Sequence, residues 1–278
     1  MERAYHIHPL VAEELLRPTY RPKVENYETF LYLVLHVPLF NSREMGDAKE
    51  IDFVVGRDFL ITTHYKKLPF LEKFLAECAD NENSRKHYLS VSSAHLLYHL
   101  LVALFETTLH ELDVIDHKIT KLENIIFKEP NRDALKDIAS LRREVLDFHR
   151  IMQPEEAVFS SLETEGRTFF GKDLAPYFRR VNGEFTRVWN FLQNHKETVE
   201  ALQDTNASLI STRTNEITKN LTILAFITFP LTLIASIFGM NTREIPIIGQ
   251  PHDFWIVVGI MLLGVIIMFE FFKHKKWL

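Results

Sequence analysis

LTILAFITFPLTLIASIFGM, residues Leu221 to Met240, runs for twenty positions without a charged side chain and is followed at once by Asn241. A helix needs about 20 apolar residues to cross the hydrocarbon core of a bilayer, so this stretch predicts a membrane span. A second run, FWIVVGIMLLGVIIMF from Phe254 to Phe269, continues through Glu270, Phe271 and Phe272 and predicts another. Two helices buried in a soluble core would not need charge-free runs this long. The spans are read as about 220–240 and 254–272, and the 241–253 loop between them is too short for a domain. They therefore form a hairpin with both chain ends on one side. The tail Lys273-His274-Lys275-Lys276-Trp277-Leu278 carries three lysines, while the loop sets Arg243 against Glu244 and Asp253. That asymmetry places the N- and C-termini in the cytoplasm and the loop outside the cell (inner) membrane. Trp255 and Trp277 fall near opposite interfaces, as anchoring indoles do.

Averaged over 278 residues the chain looks soluble, with a net charge of −5. The average misleads, because the last 60 or so residues are far more apolar than the rest. The acidic balance excludes a nucleic-acid binder of the basic-patch kind. A single cysteine, Cys78, cannot form an internal disulfide and fits a reducing compartment. Met1 to Leu16 contains no apolar h-region behind a basic start, so no secretory signal is read and the spans direct insertion.

Ahead of the spans, residues 1–85 read as a small α/β domain. Thr29 to Leu39, Glu50 to Val55 and Phe59 to Thr63 are short and rich in β-branched or aromatic residues, which predicts strands. Gly56-Arg57-Asp58 is a tight connection, and Leu68 to Ala79 is helical. Residues 86–214 change pattern. From Val91 onward, Leu97, Leu101, Leu104, Thr108, Leu112, Ile115, Ile119, Leu122 and Ile126 recur at spacings of three and four. That is one apolar stripe along a helix of nearly forty residues. Pro130-Asn131 breaks it, and a second helical stretch runs from Arg132 to about Leu162 with an interruption near Pro154. Gly166 and Gly171 bracket the next turn. A third stretch starts near Asp173 and has no glycine between Gly183 and the membrane, so one helix of roughly 100 Å would run through the first span. A helix that long needs partners, which implies bundling within and between subunits. Residues 215–278 form the transmembrane part.

Two motifs lead nowhere. Gly166-Arg167-Thr168-Phe169-Phe170-Gly171-Lys172 has P-loop spacing, but Asp173 replaces the hydroxyl that would hold Mg2+ and no strand precedes it. No nucleotide site is read. His110-Glu111 could open a zinc-protease HExxH, yet Val114 occupies the second histidine's place. No catalytic constellation stands out, and an enzyme is not expected.

Polar residues inside a span are costly and usually face an interior. Thr222, Thr228, Thr232 and Ser236 fall at helical spacing, with Ala225 and Phe229 on the same broad face. Asn215 and Thr218 extend the stripe downward, and Asn241 caps it outside. Packing of helices through small residues accounts for the threonines equally well. One hairpin cannot enclose a pore, so conduction requires an oligomer, a tube lined by hydroxyls with a ring of amides at its mouth. Neutral carboxamides can hydrogen-bond the water shell of Mg2+, an ion that dehydrates reluctantly.

Phe238-Gly239-Met240-Asn241, closing the first of two C-terminal spans, resembles the GMN signature of the CorA family of magnesium transporters. Thr214-Asn215-Glu216-Ile217-Thr218-Lys219-Asn220-Leu221-Thr222 resembles the family's entry into its pore helix, and Pro230-Leu231-Thr232 and Ala235-Ser236 its middle. The Lys-rich ending in Trp277-Leu278 fits as well. Upstream, His8-Pro9-Leu10, Arg21-Pro22-Lys23-Val24-Glu25, Phe59-Leu60-Ile61-Thr62-Thr63 and Tyr177-Phe178-Arg179 are similar to segments of its cytoplasmic domain. The resemblance runs over nearly the whole chain from about His8.

That resemblance implies a homopentameric funnel in the lipid bilayer, conducting divalent cations, most simply Mg2+ as transported and regulatory ion, without any other cofactor. It implies Gly239, Met240 and Asn241 as selectivity filter and Asn215, Thr222, Phe229, Thr232 and Ser236 as pore lining. Phe229 stands where the family often has methionine in a hydrophobic gate, and Ser236 where glycine is common. Asp204 matches an acidic residue that helps bind regulatory Mg2+ between subunits. Its acidic partner in the strand region is not evident; Asn41 lies near the expected place and Asp47 further off. The outer loop Thr242 to Gly249 lacks the Met-Pro-Glu-Leu pattern of the best-known magnesium members, which leaves Glu244 and Asp253 as its acids at the mouth. The short N-terminus implies that opening strands of the usual domain are missing. Two alternatives stand beside the Mg2+ channel: a carrier of Zn2+ or another transition metal, and a membrane-anchored scaffold that conducts nothing.

Overall fold

Strand β2 (Phe30–Val37), FLYLVLHV, has no alternation of apolar and polar residues because both of its faces are covered. The computed structural model describes residues 2–38, 48–128, 132–241, 247–249, 251–275 and 277. They fall into two compact units, 1–204 and 205–278.

The first unit begins with α1 (Glu2–Tyr5) and α2 (Pro9–Glu14). His8 caps α2, its Nδ1 accepting the Leu10 N–H at 3.3 Å, and Pro9 occupies the first helical position, where a missing N–H matters least. Four antiparallel strands follow in the order β1 (Lys23–Asn26), β2 (Phe30–Val37), β3 (Lys49–Gly56) and β4 (Leu60–His64), each pairing with the next. The sequence reading finds β2 to β4 within a residue or two at most ends and misses β1, whose four residues include three polar ones. The register sets Val34 opposite Asp52 and His36 opposite Glu50. Gly56 and Phe59 close the β3–β4 turn through a 3.0 Å backbone hydrogen bond, and a Cβ on Gly56 would lie 2.2 Å from the Phe59 ring.

Ile7, Val11 and Leu15 of the α2 region cover one sheet face over Phe30, Tyr32, Val34 and Val54. The other face carries Leu31, Leu33, Leu35, Ile51, Phe53 and Val55, all buried. Helices α3 (Pro69–Asp80) and α4 (Glu82–Leu89) lead to α5 (Ser93–Lys128), α6 (Arg132–Met152) and α7 (Glu155–Phe170). α5, α6 and α7 lie against the strands. Helix α4 is not anticipated from its sequence, ENSRKHYL, which buries nothing. All nine residues of the predicted α5 stripe are buried. The break near Pro154 separates α6 from α7 as expected. Gly166 does not belong to a turn: it lies inside α7, where a Cβ would come within 2.7 Å of the Phe178 ring. Gly171, at φ 97°, ends the helix. Most of the P-loop-like segment is therefore helical.

A 3-10 turn, Lys172–Leu174, opens into α8 (Ala175–Phe238), 64 residues and about 95 Å of helix at 1.5 Å per residue. In the first unit α8 buries Phe178, Val181, Phe185, Val188, Leu192, His195, Val199 and Leu202, spaced alternately by three and four. Phe185 stacks on Phe159 at 5.0 Å, and Phe159 meets Phe105 at 5.0 Å. The second unit holds the rest of α8 and α9 (Asp253–His274). Phe226 and Phe272 meet at 6.3 Å, which brings the C-terminal end of α9 against α8. Both helices are long and apolar enough to cross a membrane. Helices α4 and α5 together also pass on length and apolarity, but the apolar stripe of α5 is buried in the first unit.

Candidate cation pathway

From Asp204 onward α8 carries a second seam. Asp204, Ser208, Ser211, Asn215, Thr218, Thr222, Ala225, Phe229, Thr232, Ser236 and Gly239 alternate at spacings of four and three. Such a period keeps one narrow stripe of a helix facing one direction. Every member but Phe229 is small or polar, whereas Leu221, Leu224, Phe226, Leu233 and Ile237, off the seam, are large, apolar and exposed. Ser208 and Ser211 join the stripe to Asp204; sequence reading passed over them although their spacing was legible. Thr228 falls off the seam, roughly 100° around the helix from Phe229.

The hydroxyls are chemically polarised. Thr222 Oγ1 donates to the Thr218 carbonyl at 2.8 Å, and Thr232 Oγ1 to the Thr228 carbonyl at 2.9 Å. A threonine whose proton is engaged with its own backbone presents only lone pairs outward. A hydrated cation presents water protons outward, so such a hydroxyl is an acceptor suited to its shell. Asn215, Phe229, Thr232, Ser236 and Asn241 are exposed on this chain and Thr222 is half-buried. Phe229, 74% exposed, is the one large apolar side chain of the seam.

The helix ends at Phe238. Gly239 N–H donates to the Ala235 carbonyl at 3.0 Å and Met240 N–H to the Ile237 carbonyl at 3.3 Å, a tightened last turn. A Cβ on Gly239 would sit 3.1 Å from the Ala235 oxygen, so glycine lets the chain close this turn before Asn241 leaves it. Glu244 lies outside the described residues, as do Asn41 and Asp47. Asp253 opens α9, its two carboxylate oxygens accepting from Gly249 N at 3.2 Å and Phe254 N at 2.7 Å. Its charge thus serves the N-terminus of α9, where the helix dipole favours an anion. Asp204 is exposed on the last turn of the first unit. Lys273 and His274 occupy the last turn of α9, with exposed Trp255 and Trp277 at its two ends.

A model of the family described as CorA-like Mg2+ transporter protein matches residues 1–274. The cobalt/magnesium transport protein CorA of Thermotoga maritima is 30% identical over 281 residues, covering 99% of this chain and 78% of that protein. The zinc transport protein ZntB of Yersinia enterocolitica is 24% identical over 272 residues, covering 97% and 80%. The CorA magnesium transporter of Methanocaldococcus jannaschii has the same fold, with a TM-score of 0.81 at 21% identity over 100% of this chain and 86% of that one. With a family match over nearly its whole length and a relative at this identity, the chain belongs to the family of CorA-like Mg2+ transporter proteins and is a divalent-cation transporter of the CorA superfamily.

Proposed function

We propose that five copies of this chain surround a pore and conduct Mg2+ into the cytoplasm of the cell, down the membrane potential. The carrying observation is the seam from Asn215 to Gly239, small or polar at every position but Phe229, on a helix whose other residues from Leu221 to Ile237 are mostly large, apolar and exposed. In this reading Asn241 forms the outer ring of amides, with Gly239 and Met240 completing the filter. Asn215, Thr222, Thr232 and Ser236 accept hydrogen bonds from the ion's water shell, and Phe229 is the apolar gate. The loop and Glu244 face the outside and both termini the cytoplasm, in keeping with the lysines after α9. A divalent ion gains about 4.6 kcal/mol per 100 mV, twice the unit-charge value, which sustains a gradient of roughly a thousandfold without nucleotide hydrolysis.

A second reading is transport of Zn2+ or another transition metal. It is favoured by the departure of the 242–249 loop from the Met-Pro-Glu-Leu pattern and by the likeness to a protein named for zinc transport. Purified protein in liposomes, with Mg2+- and Zn2+-sensitive dyes inside, separates these readings. Mg2+ entry that grows with an inside-negative potential is the expected result. Zn2+ entry without Mg2+ entry selects the second reading, and entry of neither into vesicles holding an intact pentamer leaves only a scaffold.

A further inference from the structure

The sheet face beneath α2 is not apolar throughout. Asp52 is fully buried there; its Oδ2 accepts from Thr63 Oγ1 at 2.9 Å, while Oδ1 makes no hydrogen bond. Glu50, two residues earlier and so on the same face, is buried too. Its Oε2 accepts the Thr19 N–H at 2.6 Å and its Oε1 accepts nothing. The two carboxyls are therefore neighbours on one strand face, and the Glu50 charge disfavours ionisation of Asp52. Tyr32, fully buried on β2, has its hydroxyl unpartnered beside them and within the field of Glu14, Glu50 and Asp52.

The surrounding elements supply little positive charge. Helix α2 brings Glu14, and β1 brings Lys23 and Glu25, with Lys23 Nζ held at 2.8 Å by Glu14 and 3.0 Å by Glu25. β2 brings His36, whose Nε2 is 2.9 Å from the Thr19 carbonyl and 3.5 Å from Glu50 Oε2. Tyr65, just after β4, donates to the Leu15 carbonyl at 3.2 Å. Among the described residues no ion pair reaches Asp52. Nor do three His, Cys, Asp or Glu side chains among them converge closely enough to hold a metal ion. The unpartnered hydroxyls of Tyr32 and Thr19 can donate to the two open oxygens, but neutral donors do not remove the cost of two buried negative charges on one strand face, and a proton is the smallest cation that does.

We propose that Glu50 and Asp52 form a proton-binding site that fastens α2 to the sheet, one proton shared between the carboxyls holding it down and loss of that proton releasing it. Burial, with Glu50 and Glu14 adding their charge, pushes the Asp52 carboxyl up to about 7. With α2 lifted and the site wet, Asp52 returns to the ordinary range near 4. The proton therefore favours the closed form. Closure weakens as pH rises from about 4 to about 7, and above that the penalty is complete and constant. This device is independent of the pore reading.

Hydrogen exchange of the α2 amides, Leu10 to Leu16, in the full-length protein in micelles, corrected for the intrinsic pH dependence of exchange, tests it. Between about pH 5 and about pH 7 the opening constant should rise close to tenfold per unit, then level off to about pH 8.5. Asp52→Asn keeps an acceptor for Thr63 and gives Glu50 a permanent N–H, so its opening constant should be flat over that range. Glu50→Gln supplies the same N–H from the other side and should also be flat, which covers the case that one variant does not fold. A flat wild type, or a slope retained in the folded variants, overturns the proposal. So does millimolar MgCl2 restoring protection at high pH in the wild type alone, since the oxygens would then hold a metal.

Discussion

Asn241 leaves the last turn of α8 as an exposed amide two residues after Gly239, a glycine that the turn geometry favours. If it forms the ring that hydrogen-bonds the hydrated ion, Asn241→Ala should abolish the preference for Mg2+ over other ions in liposome flux while native mass spectrometry still finds the assembly. Unchanged selectivity would remove that role. Glu155 is a different kind of residue, 1% exposed at the start of α7, with Oε1 accepting the His36 N–H at 2.7 Å and Oε2 unpartnered. Burial pushes its carboxyl up to about 8, against the hydrogen bond, which lowers it. An acid whose folded value lies above its unfolded one near 4.5 weakens the fold progressively as pH rises between those values. At pH 7 the penalty is on the order of a few kcal/mol. Glu155→Gln, which keeps the acceptor, should raise the melting temperature near neutrality and flatten its pH dependence between about 5 and 8. A variant that melts lower than wild type at pH 7 would refute this account.

At the scale of elements, α8 is one helix with two seams on two periodic registers. Its first part presents Phe178, Phe185 and Leu192 to the first unit, and its second presents Asn215, Thr222 and Thr232. The close approach of α7 to α8 depends on Gly166, since any Cβ there enters the Phe178 ring. Gly166→Ala should destabilise the first unit by about 1–3 kcal/mol, the usual range for overpacking, despite the gain in helix propensity. A denaturation midpoint equal to or above wild type would show that Phe178 yields without loss. The strands repeat the lesson on a smaller scale. β2 is legible from its composition, whereas β1 is recognised only because Lys23 to Asn26 pair with Val34 to Leu31.

For the whole molecule, Asp204 is the last residue of the first unit and the first of the seam, eleven residues before Asn215. If it takes part in an inhibitory Mg2+ site between subunits, Asp204→Ala should raise flux several-fold at millimolar internal Mg2+ and leave flux at low internal Mg2+ unchanged. Equal flux at both would place regulation elsewhere. The sequence by itself determined the parts governed by local patterns: two spans from hydropathy, the long helices from three-and-four spacing, and the family from Gly239-Met240-Asn241 in its setting. These are properties of one helix and its solvent, so no knowledge of neighbours is needed. Tertiary structure alone decided that Gly166 is a contact, that Asp253 engages the backbone at the start of α9, and that Glu50, Asp52 and Tyr32 each leave one buried oxygen unpartnered on the sheet face beneath α2. In those cases the controlling neighbour is distant in sequence or is a backbone group whose position follows from the fold. Alternating acids in EIDF mark a polar face of a strand, but only the packing of α2 over it turns that face into a buried one.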